Sequence, residues 1–469
     1  MSIIIPANSA VGGGFEVANS VRFNSGSSDS LTKTLGTPTN NKKWTYSFWV
    51  KQSALGGNQT LLNTGSDTSY IYFRPDNADP VPFGFSVEQY VGGFQYRLIP
   101  NMIFRDASAW RHIVIAFDTT QGTDSNRVKI YNNGTQITSF NTASYPSQNL
   151  DTQVNSAISH KIGGFASGAN LDAYLSEVCF IDGQQLAADS FGEFDSDSGV
   201  WKPLESVADL TFGNNGFYLD FENSSALGND AAGSNNFTVN NLTAIDQSTD
   251  TCTNNFNVMN PLDNIAASTF SEGNLKIVTA SSNTALNTSS IGVKSGKWYW
   301  EVKNLSPDGA ANDEAFVFGA ITKSPSVASY QGSFAMTAGF GLRGNGKIWN
   351  GAGETAGWNS FTTNDIVSIA IDFDNGKGYF ATNGSYGNSS NPSTGSNGYS
   401  FTVGSEFYRM AVNCMETSKS GVFEINFGGT QTFSISSGNT DGNGYGNFEY
   451  AVPSGYLSLC TANLSKALS

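Results

Sequence analysis

Residues Trp110–Ile137 read WRHIVIAFDTTQGTDSNRVKIYNNGTQI, and Asn364–Gly384 read NDIVSIAIDFDNGKGYFATNG. Both stretches follow one plan: a β-branched apolar run, an Asp, a polar turn, a second apolar run and an Asn-Gly pair. Asn133-Gly134 and Asn383-Gly384 suit a tight hairpin, because both residue types tolerate the positive φ that such a turn demands. Each stretch therefore predicts two antiparallel strands leading into a third. A chain that repeats the plan reads as two β-sandwiches in series.

Working outward, turn-forming Gly, Asn, Ser and Asp interrupt the chain at sandwich-like intervals, and no long segment keeps helical spacing. The clearest short helical candidate is LAADSFGEF, Leu186–Phe194. In WTYSFWVK, Trp44, Tyr46, Phe48 and Val50 alternate with Thr45, Ser47, Trp49 and Lys51, so one face is wholly apolar and the other mixed. The expected division is an N-terminal arm over 1–14, a first sandwich over 15–202, an Asn/Gly-rich connector over 203–254, a second sandwich over 255–452 and a tail over 453–469. The fold class is all-β.

Composition narrows the function. Of 469 residues only 13% are charged, while 51 are Gly, so Ser, Thr, Asn and Gln must solubilise the surface. A net charge of -15 argues against nucleic acid, which needs clustered Lys and Arg, and against anionic membranes. Apolar runs are strand-sized, which speaks against membrane insertion. The start, MSIIIPANSA, is too short in apolar residues for a signal peptide. Cys179, Cys252, Cys414 and Cys460 lack metal or redox spacing and read as free thiols. With only His112 and His160, histidine-rich metal sites and most histidine triads are excluded, and neither histidine receives a role.

In the second half, SGKWYWEVKN (Ser295–Asn304), FGLRGNGKIWN (Phe340–Asn350), DFDNGKGYFATNG and GVFEINFGG resemble a SPRY domain. That resemblance implies a concanavalin-like sandwich that binds peptides or proteins through rim loops, without catalysis. The first half, through YSFWVK, LLNTG, WRHIVIAFD, VKIYNNG and AYLSEVCFIDGQ, resembles the laminin-G-like, concanavalin A-like lectin and glucanase superfamily. Together, YLSEVCFIDGQQL, FGEFDSDSGVWKP and TNNFNVMNPLDN are similar to virion proteins of marine bacteriophages. The resemblances imply two concanavalin-like jelly rolls in a virion protein assembled in the host cytoplasm. Its partners would be other virion proteins and a host surface glycan or receptor, and its assembly a homo-oligomer such as a trimer.

FGEFDSDSGVW, Phe191–Trp201, offers the sharpest enzymatic reading. Glu193, Asp195 and Asp197 alternate, as the carboxylates of concanavalin-fold glucanases do on a cleft strand, but the third acid is a methylene short and DSDSG is turn chemistry. The same oxygens could serve calcium, the one cofactor left open, with Asp195 and Asp197 in this loop and Asp230 beside Asn235 in ALGNDAAGSNN as candidate ligands. Alternation sends Trp298 and Trp300 to one face and Tyr299 to the other, which is core packing. Rim aromatics beside glycines are better ligand contacts: Tyr90, Phe94 and Tyr96 in VEQYVGGFQYR, then Trp349, Trp358 and Tyr386. The expectation is a non-enzymatic, glycan-binding tail appendage or fibre component. The alternatives are a capsid decoration protein and a glycan depolymerase.

Overall fold

The computed structural model describes residues 15–65, 67–165, 168–265, 268–279, 285–307, 314–322, 339–416 and 418–467. The chain divides into two compact units, Pro6–Asn255 and Phe256–Ser469. Each unit holds two large sheets, and the sheets are antiparallel apart from one short parallel pairing. The expected N-terminal arm lies outside the described residues.

In the first unit, one sheet runs Thr135–Ile137, Val128–Asn132, Arg111–Asp118, Lys43–Gln52, Ala173–Asp182, Ser20–Phe23 and Gln247–Ser248, with Phe217–Leu219 added against Ala173–Asp182. The other runs Phe140–Ser144, Phe94–Pro100, Phe85–Tyr90, Ser69–Phe73, Gln59–Thr64, Ser159–Ile162, Ser30–Thr34 and Thr238–Asn240. Trp44, Tyr46, Phe48 and Val50 enter the core between them, as alternation requires. The mixed face is buried as well: Trp49 packs with Trp110, Tyr174 and Trp201 in a second apolar cluster on the outer side. Its polar positions are satisfied there, with Thr45 Oγ1 donating to the Gln184 carbonyl at 2.9 Å and Lys51 Nζ reaching Asp250 at 2.7 Å.

The segment read as a connector over 203–254 is woven into this unit. Its strands Phe217–Leu219, Thr238–Asn240 and Gln247–Ser248 pair with Ala173–Asp182, Ser30–Thr34 and Ser20–Phe23 respectively. Their shortness, three residues or fewer, hid them among turn residues. The helical candidate is a single 3-10 turn, Ala188–Ser190, followed by the strand Gly192–Phe194. Gly192 lies tight against Trp201, whose ring a Cβ would approach to 2.6 Å.

The second unit repeats the plan. One sheet runs Met259–Ile265, Ala285–Val293, Tyr408–Cys414, Phe316–Ile321, Gly339–Arg343, Ile348–Trp349 and Glu354–Thr355. The other centres on Val422–Asn426, Lys297–Asn304, Ile366–Asp372 and Lys377–Thr382. Trp298 and Trp300 lie in the main core and Tyr299 on the opposite face, with Phe448 and Tyr456. The segment expected as a tail takes part too: Leu457–Ser458 pairs parallel with Lys297–Asn304, and a short helix, Thr461–Ala467, follows.

Candidate functional site

The strand Ser69–Phe73 alternates buried and half-buried positions, so Ile71 and Phe73 enter the core while Tyr70 and Tyr72 face outward. Its antiparallel neighbours set Glu88 opposite Tyr70 and Arg97 opposite Glu88. Glu88 is a buried anchor on this face. Tyr72 donates its hydroxyl hydrogen to Glu88 Oε1 at 3.2 Å, Arg97 Nε donates at 3.1 Å, and Arg74 Nη1 stands 4.0 Å away. Burial raises the pKa of Tyr72, which keeps its phenol a donor.

The strands Phe85–Tyr90 and Phe94–Pro100 meet at Gly92-Gly93, where a φ of 65° at Gly92 and 156° at Gly93 suits glycine. The turn holds Tyr90 and Phe94 edge-to-face at 5.2 Å, with the Arg97 guanidinium 4.7 Å from the Phe94 ring centroid. Both rings are 48% exposed, and Val91 beside them 46%. The tip is braced from below: the Tyr90 N–H donates to the Thr68 carbonyl at 2.8 Å and the Val91 N–H to the Gly93 carbonyl at 2.9 Å. Tyr90 and Phe94 thus offer exposed rings beside a Glu-Arg pair, while Tyr70 and Tyr72 are half-buried with the Phe165 ring 5.0 and 6.5 Å from theirs; this is the mixture that recognises a sugar's CH face and its hydroxyls.

The other expected aromatics fare differently. Tyr96 is 1% exposed and belongs to the core with Phe117, so it is not a rim residue: alternation with Leu98 turns it inward. Trp358 is also a correction, at 7% exposure with its ring 5.6 Å from Phe380. Trp349 is half-buried under the Arg343 guanidinium, 5.6 Å from its centroid. Tyr386 is half-buried against the outer cluster of the second unit, and burial raises its pKa.

The carboxylates form a turn rather than a cleft. Gly192–Phe194 pairs with Trp201–Pro203 as a short hairpin, and Asp195 caps its loop, accepting from the Ser198 N–H at 2.9 Å, Ser198 Oγ at 2.8 Å and the Asp197 N–H at 3.2 Å. The Ser198 N–H, then its hydroxyl, hold the Asp195 carboxyl down to about 2, which favours the ionised form over the protonated one that a general acid needs. Glu193 points to Lys202 at 3.2 Å, and Asp197 is exposed. Asp230 is buried and accepts from the N–H groups of Tyr218, Ala232 and Asn235 at 2.9, 3.1 and 2.8 Å, which organises its loop. Among the described residues no group of three or more His, Cys, Asp or Glu converges as a metal site.

Trp201 ends the acidic stretch and gives it a structural role. Its Nε1 donates to His112 Nδ1 at 3.0 Å, so Nε2 carries the imidazole hydrogen and donates to Ser47 Oγ at 2.8 Å. Burial pulls the His112 pKa down to about 3, and the ring stays neutral. Tyr70 and Tyr72 were the residues the sequence reading missed. The signal was present in SYIYF, where alternation with Ile71 and Phe73 turns both tyrosines outward.

Residues 24–188, which include this whole face, match the family model Laminin_G_3, the concanavalin A-like lectin/glucanases superfamily. This region therefore has a lectin-like, concanavalin A-like fold. No curated protein matches the chain. Among solved structures, the SPRY domain of human HERC1 is 15% identical with a TM-score of 0.30, covering 38% of this chain and 99% of that one. A Bacteroides ovatus protein described as a candidate for carbohydrate binding is 15% identical with a TM-score of 0.36, covering 48% of this chain and 59% of its own. The SAP-like pentraxin of Limulus polyphemus is 13% identical with a TM-score of 0.28, covering 37% and 80%.

Proposed function

We propose that this chain is a non-catalytic binding protein whose first unit takes carbohydrate on the outward face bearing Tyr70, Tyr72, Tyr90 and Phe94. The exposed, braced Tyr90-Phe94 pair carries the reading: two large rings held in one geometry outside the core have no packing purpose, and rigid rings bind with little entropy loss. The non-catalytic reading is supported by the setting of Glu193 and Asp195, one ion-paired at an exposed hairpin and the other engaged as a turn cap.

The setting proposed is a virion, on the likeness of Tyr174–Leu186 and its neighbouring motifs to marine phage proteins, with a trimeric tail appendage binding host surface glycan. The second unit, SPRY-like in its motifs, would dock the protein on the particle or take a second ligand. A glycan array should give hits that the Tyr90→Ala/Phe94→Ala variant weakens at least tenfold. An array without hits, or hits indifferent to that variant, overturns the glycan reading. Release of reducing sugar that stops in Glu193→Gln would replace it with a depolymerase, and labelling spread over a capsid lattice would replace the tail setting with decoration.

A further inference from the structure

The second unit holds a cavity of about 430 Å3, within the range that small ligands occupy. One wall is aromatic. The Phe340 centroid lies 5.4 Å from Tyr399 and 4.4 Å from Phe401, and Phe401 lies 5.7 Å from Tyr408. The wall is fixed from behind: Phe340 is buried over Gly378, where a Cβ would come within 2.8 Å of its ring, and the Tyr408 hydroxyl donates to the Thr402 carbonyl at 3.1 Å.

The rim is polar. Asn350 Nδ2 donates to the Tyr399 hydroxyl at 3.1 Å, and Ser400 and Thr402 add further oxygens. Glu406 completes the lining; it is exposed and makes no ion pair or hydrogen bond among the described residues. Among the described residues, no Lys or Arg lines the cavity. Lys377, not itself in the lining, donates to Ser400 Oγ at 2.7 Å. A carboxylate beside ring faces favours a cation, which gains from both the charge and the ring quadrupole, while the net charge of -15 disfavours anions.

We propose that this cavity binds an amino sugar with a free ammonium group. The sugar's CH face stacks on Phe401 and Tyr399, its hydroxyls meet Asn350 and Thr402, and the ammonium pairs with Glu406. This site is independent of the aromatic face in the first unit.

The test is calorimetric titration of the full chain at pH 6 with D-glucosamine, N-acetyl-D-glucosamine and Nα-acetyl-lysine amide. Glucosamine should bind saturably, at least tenfold more tightly than the acetylated sugar or the lysine derivative. Glu406→Gln should weaken it at least tenfold with an unchanged melting temperature. Gly404→Leu should abolish it, because Gly404 lines the cavity and a Cβ there meets nothing closer than 4.0 Å, so the side chain fills the space without straining the fold. No glucosamine binding, equal binding of the acetylated sugar, or equal or tighter binding of the lysine derivative would overturn the proposal. So would glucosamine binding that survives Gly404→Leu but falls in Tyr90→Ala/Phe94→Ala, since it would belong to the first unit.

Discussion

The hairpins at Asn133-Gly134 and Asn383-Gly384 are built alike to the level of single atoms. In each, the Asn N–H donates to a carbonyl at the start of the first strand, His112 at 2.8 Å and Ile366 at 2.9 Å, while the Asn side-chain oxygen accepts from that same residue's N–H at 2.8 and 3.0 Å. In each, the Asp that ends the first strand pairs with a lysine preceding a tryptophan: Lys43 with Asp118 and Lys297 with Asp372, both at 3.2 Å. The units part company above this module. In the first, the outer face is closed by a neutral imidazole and a buried ion pair, Lys51 with Asp250. In the second, buried Glu301 gathers the Tyr299 hydroxyl at 2.9 Å, Asn426 Nδ2 at 3.2 Å and the N–H groups of Glu449 and Tyr450 at 3.0 and 2.8 Å. A shared local pattern fixes the hairpin, and distant chain decides what covers it.

The comparison breaks hardest at Asp250. Asp250→Ala removes the counter-charge of Lys51, both 1% exposed, and should cost the first unit ~3–5 kcal/mol in urea unfolding while peptides of the second keep their hydrogen-exchange protection. The turns should differ next. A Cβ at Gly134 would meet the Trp201 ring at 2.3 Å, and at Gly384 the Tyr450 ring at 2.7 Å, both with positive φ. Trp201 is buried and Tyr450 half-buried, so Gly134→Ala should cost up to ~3 kcal/mol and Gly384→Ala less, read from the same denaturation curves.

Acid sharpens the contrast. His112 takes its proton at about 3 when folded and near 6.5 when unfolded, so stability falls as pH drops through that window, by about 2 kcal/mol at pH 5. Glu177, pushed up to about 7 by burial against an ordinary value near 4.5, works the other way: its contribution is present at low pH and lost as pH rises from 4.5 to 7. His160, whose pKa burial pulls down to about 4, adds a loss of stability over the same fall in pH. It is therefore the double variant His112→Gln/His160→Gln that should unmask Glu177, with the melting temperature of the first unit rising as pH falls from 7 to 5. The second unit holds no histidine, and burial raises the Glu301 pKa, so it should lack the imidazole loss between pH 7 and 5; the depressed carboxyls of Glu354, Asp372 and Glu449 confine its acid loss to lower pH. The smallest effect belongs to the tip, where Tyr90→Ala/Phe94→Ala should change stability by less than ~0.5 kcal/mol while removing glycan binding.

What the sequence made legible was local. The Asn-Gly turns, the alternation in WTYSFWVK and the two faces of Trp298, Tyr299 and Trp300 follow from period and turn chemistry alone. Tyr96 was legible too, had its alternation with Leu98 outweighed its neighbouring glycines. Trp358 was not, because the ring that buries it, Phe380, lies 22 positions on and nothing local announces the contact. The same holds for Trp201 against His112, 89 residues apart, and Lys51 against Asp250, 199 apart. The outer face read only as mixed because the partners of its polar residues are remote in the chain.

The pairing of Val21 with Gln247 brings the two ends of the first unit side by side in one sheet. Loop-closure entropy grows only with the logarithm of length, so so long a connection costs little at equilibrium and much in time. Ser20–Phe23 must wait, unpaired on that edge, until Gln247–Ser248 has been synthesised. The first unit should therefore fold slowly, and a circular permutant joining those adjacent ends and opening at Gly92-Gly93 should fold faster while keeping every sheet pairing outside the opened hairpin.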